Sequence, residues 1–199
     1  LTPFDAIIHA LGTAGTGGFS NMNASVGAFN NPAVEWIITI FMIIFGINFV
    51  LYFQLIRGNI RAVFKNEELK YYLIIIFTAI AIITFNILKL NDGSYSKSLR
   101  DAAFQVTTIA STTGYATTDF NLWPTLSKIV LVLLMFMGSM AGSTSGGIKT
   151  IRIVIIFKAI RREIDRILHP RRVKSVKIDG NVIEEETISS VMLFIFAYI

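Results

Sequence analysis

Two short polar turns are the parts of this chain best suited to chemistry: Thr-Ala-Gly-Thr-Gly-Gly-Phe-Ser at 13–20 and Ile-Ala-Ser-Thr-Thr-Gly-Tyr-Ala-Thr-Thr-Asp-Phe at 109–120. Each follows a helical stretch too short to cross a bilayer, and each turns on a glycine, Gly18 or Gly114. Glycine takes backbone angles closed to other residues, so successive carbonyls can be turned toward one axis. Carbonyl oxygens set out in that way replace the water shell of a dehydrated monovalent cation. One copy alone reads better as a tight extracellular turn whose glycine relieves strain. Two copies, each behind a short helix and before a long apolar run, reverse that preference.

A second segment with unusual chemistry is Gly-Ser-Met-Ala-Gly-Ser-Thr-Ser-Gly-Gly at 138–147, small and polar in the middle of an apolar run. Glycine there costs helix propensity at roughly 1 kcal/mol per residue. Gly138, Gly142 and Gly146 are four apart, as in close helix packing. The favoured reading is a break into an irregular loop that lines an aqueous cavity. Lys149 follows, within reach of either the membrane surface or that cavity. Two other chemistries are excluded. The segment is out of step with a phosphate-binding loop, because Ile148 stands where the lysine belongs. No histidine lies near Ser143 or Ser145 to act as a base, so the chain is not read as an enzyme.

The elements that position these residues are membrane spans. The chain is 53% hydrophobic and its mean hydropathy is +0.62. Its apolar residues gather in blocks at Ala33 to Ile56, Tyr71 to Leu90 and Thr125 to about Phe157, with a further block begun at Thr187. Lys and Arg concentrate in 57–70 and in 158–177, where Arg171, Arg172 and Lys174 add to Lys158, Arg161, Arg162 and Arg166. Both stretches are expected on the cytoplasmic side, and 91–124 outside. The basic stretch reads mainly as a solvated linker that sets topology, and a surface for anionic lipid or a cytoplasmic partner is compatible with it. No aromatics interleave with it, which argues against nucleic acid. Residue 1 is Leu and the last block stops short of roughly 20 residues, so an internal fragment is expected.

The chain repeats itself. Sliding it on itself places Thr2 on Ser98, Asp5 on Asp101, Thr16 on Thr112, Gly18 on Gly114 and Phe19 on Tyr115. Farther on, Pro32 meets Pro124, Gly46 meets Gly138 and Arg57 meets Lys149. The unit is short helix, polar turn, long span. Thr2 and Ser98 each precede an Asp by three positions, the pattern of a capping box. The short helices are therefore expected to start outside and to aim their negative C-terminal ends at the polar turns, which favours a cation there.

Ser-Thr-Thr-Gly-Tyr at 111–115 resembles the filter of potassium channels, and the repeated helix, filter and span unit resembles the Trk/Ktr/HKT superfamily of potassium transporters. Within it the TrkH type is the most similar, through 138–152 and Ile-Leu-His-Pro-Arg-Arg-Val-Lys-Ser-Val-Lys-Ile-Asp-Gly at 167–180. The resemblance implies an all-α integral membrane fold with four such units around one pore. Residues 1–61 and 62–157 are then the second and third units, 158–186 a cytoplasmic linker, and 187–199 the start of the fourth. It implies that the carbonyls of Thr16, Gly17, Gly18, Thr112, Thr113 and Gly114 line the potassium path. It also implies that Gly142, Ser143, Thr144, Ser145, Gly146 and Gly147 form an intramembrane gate, with Lys149 beside it. Potassium is then the substrate, no cofactor belongs to the chain, and the partners are a second copy and a cytoplasmic ring of nucleotide-binding regulatory subunits. A sodium-selective relative, or an unrelated transporter with broken helices, is the alternative; an anion carrier would aim helix N-termini at the midplane.

Overall fold

The computed structural model describes residues 2–169 and 175–198, so Arg171, Arg172 and Lys174 of the basic stretch lie outside the described residues. The chain begins with α1 (Pro3–Ala14), whose N-cap Thr2 and Asp5 form the expected capping box. Asn21 and Thr2 donate to the Asp5 carboxylate, and these bonds hold it below the usual carboxylate range.

The apolar run 33–56 is not the single span the sequence leads one to expect. It forms α2 (Pro32–Phe45) and α3 (Phe49–Ile56), bent by 90° at Gly46–Asn48. Tyr72 Oη and Ser139 Oγ fill the space where a Cβ on residue 46 would lie, and the Asn48 side chain caps α3 by accepting from Val50 N–H at 2.8 Å. A short α4 (Ile60–Lys65) leads to α5 (Glu67–Ile87), the one unbroken helix among the described residues long and apolar enough to span a membrane.

α6 (Tyr95–Ala110) starts a turn earlier than the sequence implies. Its cap is Ser94, after the left-handed Gly93, so Ser98 is not a cap but a buried residue of the first turns. Asn91 Nδ2 donates to Ser98 Oγ at 3.2 Å and to Asp101 Oδ2 at 3.1 Å, which ties the entering chain to the helix instead. The third run divides into α7 (Thr125–Phe136), a non-helical loop 137–149, and α8 (Thr150–Leu168). Arg57 and Lys149 therefore play opposite parts, since Arg57 ends α3 and Lys149 begins α8; their alignment does not survive the longer second break.

Within the basic stretch α8 continues to Leu168, and beyond the residues left undescribed a hairpin forms, β1 (Lys177–Ile178) against β2 (Asn181–Val182), turned at Asp179-Gly180 with both residues left-handed. Val176 and Ile178 bury against Ile155 and Ala159 of α8 and Ile188 of α9 (Glu185–Tyr198). The main core lies where α6 packs among α5, α2 and α7: Ile76, Ile83 and Ile87 meet Ala102, Val106 and Leu131. α6 also carries buried Gln105, Thr107 and Thr108, so it needs protein rather than lipid on every side.

Candidate functional site

α1 and α6 end in the same geometry. After the caps Gly15 and Ser111 comes a left-handed threonine, Thr16 at φ 49° and Thr112 at φ 55°. Its N–H returns to Thr13 O at 3.2 Å or Ile109 O at 3.0 Å, and the next N–H to Gly12 O at 2.8 Å or Thr108 O at 2.9 Å. This is a Schellman ending. Gly18 and Gly114 are left-handed too, at φ 63° and 87°, and their N–H groups turn toward the same Gly12 and Thr108 carbonyls at 3.4 and 3.3 Å. The amides of residues 16–18 and 112–114 are thus committed to the helix ends. Among the described residues, no hydrogen bond reaches the carbonyls of Thr16, Gly17, Gly18, Thr112, Thr113 or Gly114.

The two turns abut. A Cβ on Gly18 would overlap the Thr113 carbonyl oxygen, whereas one on Gly114 would meet nothing within 4 Å. Tyr115 is buried and crosses to the first copy: its hydroxyl donates to His9 O and Phe19 O at 3.3 Å, and its ring stacks on His9 at 5.5 Å. Its counterpart Phe19 is 78% exposed, so the copies are not equivalent. Thr113 adds to the asymmetry, with its hydroxyl 2.7 Å from Ser111 Oγ where the first copy has Gly17.

Left-handed backbone costs a β-branched residue about 1–2 kcal/mol, and glycine is the usual solution at a helix end. The two threonines have another use. Thr16 Oγ1 donates to Thr144 O at 3.0 Å, and Gly146 N–H donates to Thr112 Oγ1 at 2.7 Å. The base of both turns therefore holds the 137–149 loop by its backbone. These contacts give the threonine hydroxyls a task distinct from that of the carbonyls.

The loop is compact and does not pack as a small-residue helix face. A Cβ on Gly138 would overlap Gly146 O, and Gly138 N–H donates to Ile148 O at 2.6 Å, so the loop closes on itself. Gly142 and Gly147 are left-handed, both at φ 72°. Ser139 Oγ donates to Ala110 O at 2.9 Å, and Met140 N–H to Gly46 O at 3.1 Å, which join the loop to the end of α6 and to the break in α2 and α3. Ser145 Oγ accepts from Ser139 N–H at 3.2 Å, and Lys149 folds back so that its ammonium donates to Ser145 O. Asn48 is a neighbour the sequence reading missed: its Oδ1 lies 2.9 Å from where a Cβ of Gly142 would be, and Phe49 N–H donates to Gly142 O at 3.1 Å. The signal was present in Gly46-Ile47-Asn48, a glycine followed by a capping residue. Among the described residues no three His, Asp or Glu side chains are grouped to hold a metal.

A family model described as TrkH, a cation transport protein, matches residues 1–199. The chain belongs to the TrkH family. TrkH of Escherichia coli K12 is 37% identical over 197 residues, 98% of this chain and 41% of that protein. TrkG of the same strain is 34% identical over 196 residues, 98% of this chain and 40% of that protein; both are Trk system potassium uptake proteins. The crystal structure of the potassium transporter TrkH from Vibrio parahaemolyticus superposes with a TM-score of 0.91 at 34% identity, over 99% of this chain and 43% of that one. The chain thus spans about two-fifths of the length of these TrkH relatives. The chain shares the predominantly helical membrane fold of that transporter.

Proposed function

We propose that this chain supplies two of the coordinating turns of a potassium uptake pathway, with the 142–147 loop as the gate beneath them. The observation that carries the reading is the set of six carbonyls, repeated between copies, whose own residues' amides are all bonded back to the helix ends. Such oxygens can replace ion hydration without first breaking protein hydrogen bonds. The C-terminal ends of α1 and α6 add partial negative charge at the same place. The loop, held by Thr16 and Thr112, lies against the base of the turns, where it blocks passage until it moves.

On this reading residues 1–61 and 62–157 are two repeats of a four-repeat pore, 158–186 joins them to a further repeat begun at 187–199, and the full protein pairs with a second copy and with nucleotide-binding regulators. Loops 57–70 and 158–186 are cytoplasmic by their Lys and Arg content, and 91–124 is external. The family relationship and the asymmetric turns together favour potassium uptake with limited rejection of sodium. The full-length parent, expressed in a host lacking its own potassium uptake, is expected to restore growth at low potassium and to take up rubidium. No rescue and no uptake overturns the reading; sodium uptake at the potassium rate replaces it with the sodium alternative.

A further inference from the structure

The N-cap of α8 is Lys149, a side chain with no acceptor and with a positive charge at the positive end of the helix. It turns away, toward Ser145. The acceptor that α8 lacks comes from another helix. Glu68 Oε1, in the first turn of α5, accepts Ile151 N–H at 3.1 Å, and the same oxygen accepts Ala141 N–H at 2.7 Å. Glu68 is 5% exposed, and its two donors stand on either side of 142–147. One buried carboxylate thus grips the chain where it enters the loop and where it leaves.

The turn that carries Glu68 is itself anchored. Asp179 at the hairpin tip accepts from Glu67 N–H at 2.7 Å and from Asn66 Nδ2 at 2.9 Å. Lys158 of α8 pairs with Glu67 and donates to Lys177 O at 2.7 Å. A displacement of the hairpin therefore reaches Glu68 through adjacent residues of one helical turn.

We propose that Glu68 is the positioning residue that keeps the 142–147 loop seated under the filter turns, and that the Asp179 hairpin sets the position of Glu68. The role rests on reading that loop as the gate. It requires the loop to leave by giving up both bonds to one carboxylate, and it gives the hairpin a mechanical path to the gate.

The test uses the full-length parent in membranes, its native cysteines replaced and Ser143→Cys added as a reporter for a charged thiol reagent; residues 1–199 contain no cysteine of their own. Glu68→Ala is expected to speed labelling about tenfold or more, the scale of losing charge-assisted hydrogen bonds. Glu68→Gln keeps an acceptor oxygen and should fall between wild type and Glu68→Ala. Asp179→Ala, at an exposed turn, should speed labelling by about threefold. Rubidium flux without regulators should rise in the same order, with the preference for potassium over sodium unchanged. Labelling of Glu68→Ala at or below the wild-type rate overturns the proposal, as does Glu68→Gln matching Glu68→Ala. Should Glu68→Ala fail to reach the membrane, the other two variants decide, and neither exceeding wild type overturns it. Labelling needs no transport: a parent that follows this order yet moves no rubidium refutes the potassium reading and upholds the role of Glu68.

Discussion

Thr16 and Thr112 combine two functions that pull against each other, a strained left-handed backbone and a hydroxyl that reaches another segment. Strain of this kind persists where surrounding contacts over-determine it. Thr16→Val and Thr112→Val keep the shape and lose the loop contact, each a loss of about 1 kcal/mol. Regulator-free rubidium flux is expected to rise in both, and unchanged flux would separate the hydroxyls from the gate. The glycines above them differ in kind. Gly18→Ala meets the Thr113 carbonyl in addition to the left-handed backbone cost of about 1–2 kcal/mol, so it should abolish selective uptake; Gly114→Ala meets only that backbone cost. Gly114→Ser should weaken potassium preference while flux persists. Competition of sodium against rubidium uptake measures both, and equal effects at 18 and 114 would contradict the geometry.

Helices in this fold are shaped by breaks as much as by hydropathy. α2 and α3 part after Gly46, a position where Tyr72 and Ser139 leave no room for a side chain. Gly46→Ala is expected to lower stability by about 1–3 kcal/mol through overpacking, seen as a lower melting temperature of the purified full-length protein. Tyr72→Phe removes the obstructing hydroxyl along with its bond to Ile43 O at 3.2 Å, so the double variant should recover part of the loss. Strict additivity of the two changes would show that they do not meet. The longer break at 137–149 is the one joined to both turns, and shortening 142–147 should raise flux without altering selectivity, measured in the same uptake assay.

At the scale of the molecule, two repeats bring their helix ends together while differing at Gly17 and Thr113, Phe19 and Tyr115, and in the length of the second break. Much of this was legible in the chain. The turns, the short helices, the repeat and the capping box of Thr2 depend on neighbours in sequence: a left-handed glycine, a cap three residues from its partner, an apolar block of span length. The interruption at 138–147 was legible for the same reason, because glycine and hydroxyl residues contradict their surroundings. What sequence left open depends on groups far apart along the chain. Gly46-Ile47-Asn48 hints at a break, but the groups that hold residue 46 to glycine arrive from residues 72 and 139. Ser98 matches a cap by spacing, yet Ser94 takes that place and Asn91 claims Ser98. The threonine hydroxyls meet their loop partners across 128 and 34 positions, and Glu68 joins two donors 73 and 83 positions away. Local backbone preference wrote the two left-handed turns into the sequence; only packing of distant segments decided what holds the loop beneath them.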